Sequence, residues 1–308
     1  KCVCLAGLEP TTSLALSACG AAAQPDDGQP GDVVIRDVTV VSPERDAPLE
    51  HAYVRIRDGR ISEVSTRPLS AEREIDGAGR YLVPGLIDTH VHLGDVPGML
   101  PAHEESDPDV AALARAQMPR SFLYYGFTTV VDLIGDPERI ARWNDAELRP
   151  DAYFCGGAPI ANGYPLVFVP EDQRFQATPY FLYDERQQNR TPDSVDPDAH
   201  TPRAVVERMA ADGAICVKTF YEPGFGPMRD LPTPTLETVR ALVDAAHAAG
   251  LPALLHANSL EAQRFAVDAG ADILAHGLWN GLDRDGDALG NDSDSAGGDD
   301  VGATLGRD

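Results

Sequence analysis

Two histidines one residue apart, His90 and His92, close the stretch YLVPGLIDTHVHL from Tyr81 to Leu93. In a β-strand alternate side chains share a face, so the pair points one way and can hold one metal ion. Imidazole is the commonest nitrogen ligand for zinc-like ions, and Asp88, Thr89, His90 and His92 sit at the end of the apolar run rather than in its middle. Taken alone, the spacing fits a surface-strand pair or two core histidines equally well. Three more candidates change that balance: Lys218, His256 and His276 each end a later apolar run. An isolated strand-end histidine is usually a satisfied structural residue, and an isolated lysine usually snorkels to water. Their joint placement favours a metal centre. An ammonium repels a cation, but a lysine whose pKa is lowered in a closed site can be neutral and take up carbon dioxide as a carbamate, an anion able to bridge two cations. Tyr221, Asn258 and Trp279 each neighbour a candidate ligand and are read as substrate contacts, with a packing role equally open.

The elements that must position these groups alternate. After His92, a helix capped by Asp107 or Asp109 runs to Tyr125 and a strand follows over Thr128 to Leu133. A helix from Pro137 to about Leu148 and a strand from Ala152 to Gly156 come next. Helices over Pro202 to Ala211, from Thr233 or Thr235 to Gly250, and over Leu260 to Ala269 then alternate with strands at Ala214 to Phe220, Pro252 to His256 and Ile273 to His276. This is the pattern of βαβ units on a parallel sheet. About six units are visible, and in a parallel barrel the strand C-termini are the catalytic end. Residues 158–201 form a long insertion carrying Tyr164, Phe168, Phe175, Tyr180, Phe181 and Tyr183, read as a lid over the mouth. Residues 31–83 alternate with period two around a tight Asp58-Gly59 turn and predict a small antiparallel β-sandwich module.

The motif PGLIDTHVHL resembles the first-strand signature of the amidohydrolase superfamily, and the likeness extends from Val33 to Asn280. The resemblance implies a (β/α)8-type TIM barrel, here incomplete, spanning residues 84–282 behind the β-module. It implies a binuclear site, with His90 and His92 on one divalent ion, His256 and His276 on the other, and carboxylated Lys218 between them. Zinc suits the nitrogen ligands, with nickel, cobalt and iron as alternatives. The family also uses an aspartate at the end of strand eight as proton shuttle. No seventh or eighth strand is legible, so no residue is nominated; a fragment, a frameshifted reading and a shortened inactive protein are the competing accounts. VKTFYE and HANSLEAQRFAVDAGADILAHG look like the imidazolonepropionase and prolidase-like members, which cleave cyclic amides or dipeptides.

Composition narrows the partners. Of 308 residues, 25 are Lys or Arg against 49 Asp or Glu, a formal net charge of −24, which argues against nucleic acid and anionic membrane surfaces. A small-molecule substrate is the expected partner; oligomeric state is not legible. Residues 283–308 hold eight Asp and no hydrophobic period and read as an acidic disordered tail. Asp283, Asp285 and Asp287 superficially suggest a calcium loop, but Ala288 stands where such a loop needs glycine. No apolar run approaches the roughly 18 to 20 residues of a membrane-spanning helix. Residues 1–30 read as a lipoprotein export signal and linker, with Cys19 in Leu16-Ser17-Ala18-Cys19 the lipidated residue and the cell envelope or periplasm the destination, the cytoplasm being the alternative. Globomycin treatment checks this: a mature form insensitive to the drug and found only in soluble fractions sinks the anchor. The other cysteines, Cys2, Cys4, Cys155 and Cys216, lack zinc-finger or redox spacing; Cys155 and Cys216 read as small buried hydrophobes and no disulfide is expected.

The function expected is metal-dependent hydrolysis of carbon–nitrogen bonds. The alternatives are a catalytically inactive metal-binding envelope protein and a mononuclear deaminase in which Lys218 stays unmodified.

Overall fold

The computed structural model describes residues 3–6, 31–99, 101–224, 228 and 230–278. Contacts divide the chain into one unit of Lys1–Asp88, Val96–Val130 and Trp143–Ala152 and a second of Thr89–Asp95, Val131–Arg142 and Tyr153–Asp308.

In the first unit, the period-two stretch folds into β2 to β6. With β1 (Val3–Ala6) they make a sheet: β2 (Val33–Val40), β3 (Leu49–Arg57), β4 (Arg60–Ser65), β5 (Arg73–Asp76) and β6 (Tyr81–Pro84). The order is β1-β6-β2-β3-β4, with β5 also on β2. β2, β3 and β4 pair antiparallel, as do β1 and β6, whereas β5 and β6 run parallel to β2. Asp58 and Gly59 turn β3 into β4 with φ of 51° and 71°, the left-handed pair that a two-residue hairpin of native twist demands. Ile35, Val38, Val40, Ala52, Val54 and Leu82 supply one buried cluster. The sandwich expected from sequence is thus a single, mainly antiparallel sheet among the described residues, and β1, which lies in the stretch assigned to the export signal, pairs with β6 of that sheet. Cys19 and the rest of that signal lie outside the described residues.

Next to the change from β-module to barrel expected after residue 83, Gly85 separates β6 from β7 (Leu86–Val91), which belong to different sheets. A Cβ on Gly85 would come within 2.1 Å of Thr128 Oγ1, so only glycine allows the chain to pass there.

The remaining elements follow the predicted alternation: α1 (Pro101–Ser106), α2 (Pro108–Tyr124), β8 (Phe127–Asp132), α3 (Pro137–Asn144), β9 (Asp151–Gly157), α4 (Pro202–Ala211), β10 (Cys216–Phe220), α5 (Leu236–Ala248), β11 (Ala253–His256), α6 (Leu260–Ala269) and β12 (Ile273–Leu274). Thr201, Thr235 and Ser259 each cap a helix by accepting the backbone N–H three residues on, and Gly270 at φ 81° ends α6. The short α1 was not foreseen, and α3 stops four residues before Leu148.

The second sheet has the order β12-β11-β10-β9-β8-β7, each strand beside its predecessor in the chain, with parallel registers from β9 through β12. Such monotonic order belongs to a singly wound, curling sheet rather than a doubly wound open one. Laid flat, six strands would separate the outermost pair by about 24 Å. Instead His90 Nδ1 in β7 lies 3.0 Å from the carbonyl oxygen of Ala275, next to β12, so the sheet curls far enough for a side chain of one edge strand to reach the segment after the other. The fold is α/β with a parallel curled sheet, consistent with an incomplete (β/α) barrel.

Side chains alternate across this sheet. Val217, Ala253 and Leu255 join Val205, Met209, Val239 and Leu242 in the outer core under α4, α5 and α6. The opposite face carries Val131, Leu133, Cys155, Cys216 and Leu254. On that inner face Cys155 and Cys216 are register partners and form a disulfide, against the reading of both as unlinked thiols. Their separation of 61 residues hides the pairing from local inspection; strand register alone brings the two Cα atoms to 4.4 Å.

The insertion has its own small core of Ala161, Leu166 and Phe181. Its Tyr180 and Leu182 are buried in the outer core, and Phe181 stacks on His200 with ring centroids 3.6 Å apart.

Candidate metal centre

Of the five nominated residues, His90 lies in the last pleat of β7 and His256 ends β11, His92 and His276 lie just past β7 and β12, and Lys218 is the middle residue of β10. β10 carries Cys216, Lys218 and Phe220 on one face and β11 carries Leu254 and His256, with Phe220 opposite His256 in register. The curl of the sheet brings the histidines into one cluster. Ring centroids are 5.5 Å apart for His90 and His92, 4.7 Å for His90 and His276, and 4.6 Å for His256 and His276.

Lys218 is 1% exposed, and its Nζ lies 5.5 Å from the centroid of the Phe220 ring. Burial pushes its pKa down to about 7, so near neutrality a large fraction of the amine carries a lone pair. Burial also lowers the pKa of His92 and His256. His276 is pushed down to about 3, first by burial and then by the positive charge of Lys218 and the neighbouring imidazoles. Neutral imidazoles and a neutral amine are the ligand-competent forms.

Hydrogen bonds fix which ring nitrogen is open. The Ala275 carbonyl can only accept, so His90 donates from Nδ1 and keeps its lone pair on Nε2. His256 Nε2 lies 3.2 Å from Glu222 Oε2, and Tyr164 packs over the same ring at 4.4 Å between centroids. His92 Nδ1 stands 4.0 Å from Asp132 Oδ1. Asp132 is fully buried and accepts from the backbone N–H of Leu93 and Ile134 and from Arg139 Nη1, tying the ends of β7 and β8 together.

In donor chemistry, this set fits divalent cations: four imidazoles, two of them with one nitrogen facing an acceptor, and a lysine whose charged form burial disfavours. In position, no three His, Cys, Asp or Glu side chains among the described residues converge as ligands of a single ion.

Of the nominated substrate contacts, Asn258 lies in the cluster: its Nδ2 is 3.2 Å from Glu222 Oε2, while its buried Oδ1 has no partner. Tyr221 instead packs outward, stacked on Phe265 of α6 at 4.1 Å and donating to Glu261, an arrangement that serves packing. Trp279 lies outside the described residues. Sequence reading missed Asp132 and Glu222. Each had a legible signal, a carboxylate at or just beyond the end of an apolar strand.

A cavity of about 720 Å³ adjoins the cluster, lined by His92, Asp95, Arg139 and, from the insertion, Leu166, Thr178 and Tyr180. The insertion therefore borders the site.

Comparison with known proteins adds relatives. A family model described as Amidohydrolase family matches residues 81–282. A D-hydantoinase from Ralstonia pickettii is 29% identical over 144 residues, covering 45% of this chain and 27% of its own. An imidazolonepropionase from Ralstonia nicotianae is 28% identical over 280 residues, covering 75% of this chain and 57% of its own. Among solved structures, a prolidase complexed with N-methylphosphonate-L-proline superposes with a TM-score of 0.60 at 24% identity, covering 79% of this chain and 60% of that one. The chain thus spans between about a quarter and three-fifths of the length of these relatives.

Proposed function

The chain belongs to the amidohydrolase family, and from that premise we propose that the protein hydrolyses a carbon–nitrogen bond in a cyclic amide or a dipeptide-like substrate. The observation that carries this reading is the gathering of four imidazoles at the C-terminal rim of one curled sheet that holds a buried lysine of lowered pKa in β10. His90 and His92 would hold one divalent cation and His256 and His276 a second, zinc being favoured by the nitrogen donors. When bound, such ions supply Lewis acidity toward a carbonyl oxygen and acidify a water toward about pH 7.

The residues of the chain do the rest. The neutral Lys218 amine adds to carbon dioxide, forming one N–C bond and releasing one proton, and the carbamate so made spans the two histidine pairs. Asp132 orients the loop after β7 through the Leu93 N–H. The insertion contributes Leu166, Thr178 and Tyr180 to the wall of the cavity beside His92. No strand-eight aspartate is nominated as proton shuttle. Export to an oxidising compartment fits the same picture, supported by the Cys155–Cys216 crosslink and the Leu16-Ser17-Ala18-Cys19 stretch.

A panel of hydantoins, imidazolones and Xaa-Pro dipeptides tests the reading. Turnover of at least one member is expected, abolished by chelation and restored by zinc; failure of the zinc-reconstituted protein on every member sinks it.

A further inference from the structure

Glu222 follows β10 at the inner rim and is 2% exposed, a carboxylate withdrawn from water with no arginine or lysine paired to it among the described residues. A buried carboxylate is costly unless donors or a cation satisfy it. Its Oε1 accepts from the Gly224 N–H at 3.0 Å. Its Oε2 faces two groups at 3.2 Å, Nδ2 of Asn258 and Nε2 of His256. These neighbours are a backbone amide, a side-chain amide and an imidazole, so the carboxylate presents an acceptor oxygen within hydrogen-bonding distance of one imidazole of the cluster.

The chemistry of the pair settles the proton. A carboxylate only accepts, so a lone pair on Nε2 would face a second lone pair across 3.2 Å; a proton on Nε2 makes a charge-assisted hydrogen bond instead. Asn258 Nδ2 also lies 3.1 Å from Nε2, but its hydrogens have Oε2 to bind. The ring is further confined by Tyr164 at 4.4 Å and Phe220 at 6.0 Å between centroids, so it cannot swing away from the carboxylate without repacking both.

We propose that Glu222 is a positioning residue: by accepting Nε2–H it holds His256 in a single tautomer whose only lone pair is on Nδ1, the reverse of His90, where the Ala275 carbonyl leaves Nε2 open. The carboxylate at the same time supplies negative charge one imidazole away from any cation bound on His256. This rests on the metal reading of the cluster, and the two are separable by experiment. Carboxylates behind ligating imidazoles typically contribute 10-to-100-fold in metal affinity.

The test uses the whole chain, labelled with ¹⁵N, and reads the His256 ring by long-range ¹H–¹⁵N correlation, the resonance being assigned with His256→Gln. The metal-free wild type is expected to show the Nε2–H form, Glu222→Gln to lose that single form, and zinc affinity to fall by about 10- to 100-fold in the variant. Partial recovery is expected in Glu222→Asp. An Nδ1–H signal in the wild type overturns the proposal, because it turns the Nε2 lone pair beside the carboxylate and makes Glu222 a co-ligand. Unchanged tautomer and zinc affinity in Glu222→Gln overturn it as well. Since the wild-type spectrum needs no variant, a misfolded Glu222→Gln leaves the question decidable. A wild type that shows Nε2–H but binds no zinc overturns the metal reading while upholding the role of Glu222.

Discussion

Replacing Lys218 with alanine is expected to lower kcat/KM by about a thousandfold or more, the rate equivalent of losing several kcal/mol of metal-centred stabilisation. The residue is 1% exposed and burial alone brings its amine to about 7, so the chain withholds the water that would keep it protonated. That arrangement disfavours the charged form and suits an amine meant to react. On the proposed binuclear reading, bound zinc is expected to fall from about two ions per chain to one or fewer, because the bridge proposed for Lys218 is removed. Lys218→Met separates chemistry from folding. It keeps the apolar stem against Phe220 and removes a poorly solvated ammonium, so thermal stability is expected to hold or rise while activity is lost. Elemental analysis with steady-state kinetics on the substrate found in the panel checks both. One ion per chain, unaffected by Lys218→Ala, would instead indicate a mononuclear centre with an unmodified lysine.

Opening the Cys155–Cys216 disulfide is expected to cost about 4 kcal/mol of stability, the loop-closure entropy released when a segment of 61 residues is no longer clipped in the unfolded chain. Both cysteines are buried on the inner face of the sheet, so Cys155→Ser would add the burden of a hydroxyl among Val131, Leu133 and Leu254. Cys155→Ala with Cys216→Ala is therefore the cleaner pair. A fall in melting temperature on the order of 10 °C is expected by calorimetry. Intact mass after alkylation without reductant gives the direct check: labelling of both Cys155 and Cys216 would remove the crosslink and, with it, one support for an oxidising compartment. Because Cys216 precedes Lys218 by one pleat in β10, zinc content measured in the same variants reports whether the clip also steadies the rim.

The alternation of units was legible because each helix carried its own stop and start signals. Thr201, Thr235 and Ser259 cap where a hydroxyl precedes an apolar period, and Gly250 and Gly270 take the positive φ that ends α5 and α6. The ligand candidates were legible for a related reason, since strand ends are marked by where the apolar run stops. What stayed hidden depends on register and curl. Whether Tyr221 faces the rim or α6 turns on one residue of strand phase just past the end of β10. The disulfide needed the β9–β10 register.

By itself, the amino-acid sequence determined the βαβ order, the residues able to bind or react, and the place of the histidines toward strand C-termini, because periodicity, capping and side-chain chemistry are local properties. Only the tertiary structure decided that the sheet curls until the His90 side chain reaches the segment after β12, and that the carboxylates of Asp132 and Glu222 stand beside His92 and His256. Those outcomes depend on how far a six-stranded sheet curls and on which faces its strands present, quantities set by packing between segments 34 to 185 residues apart.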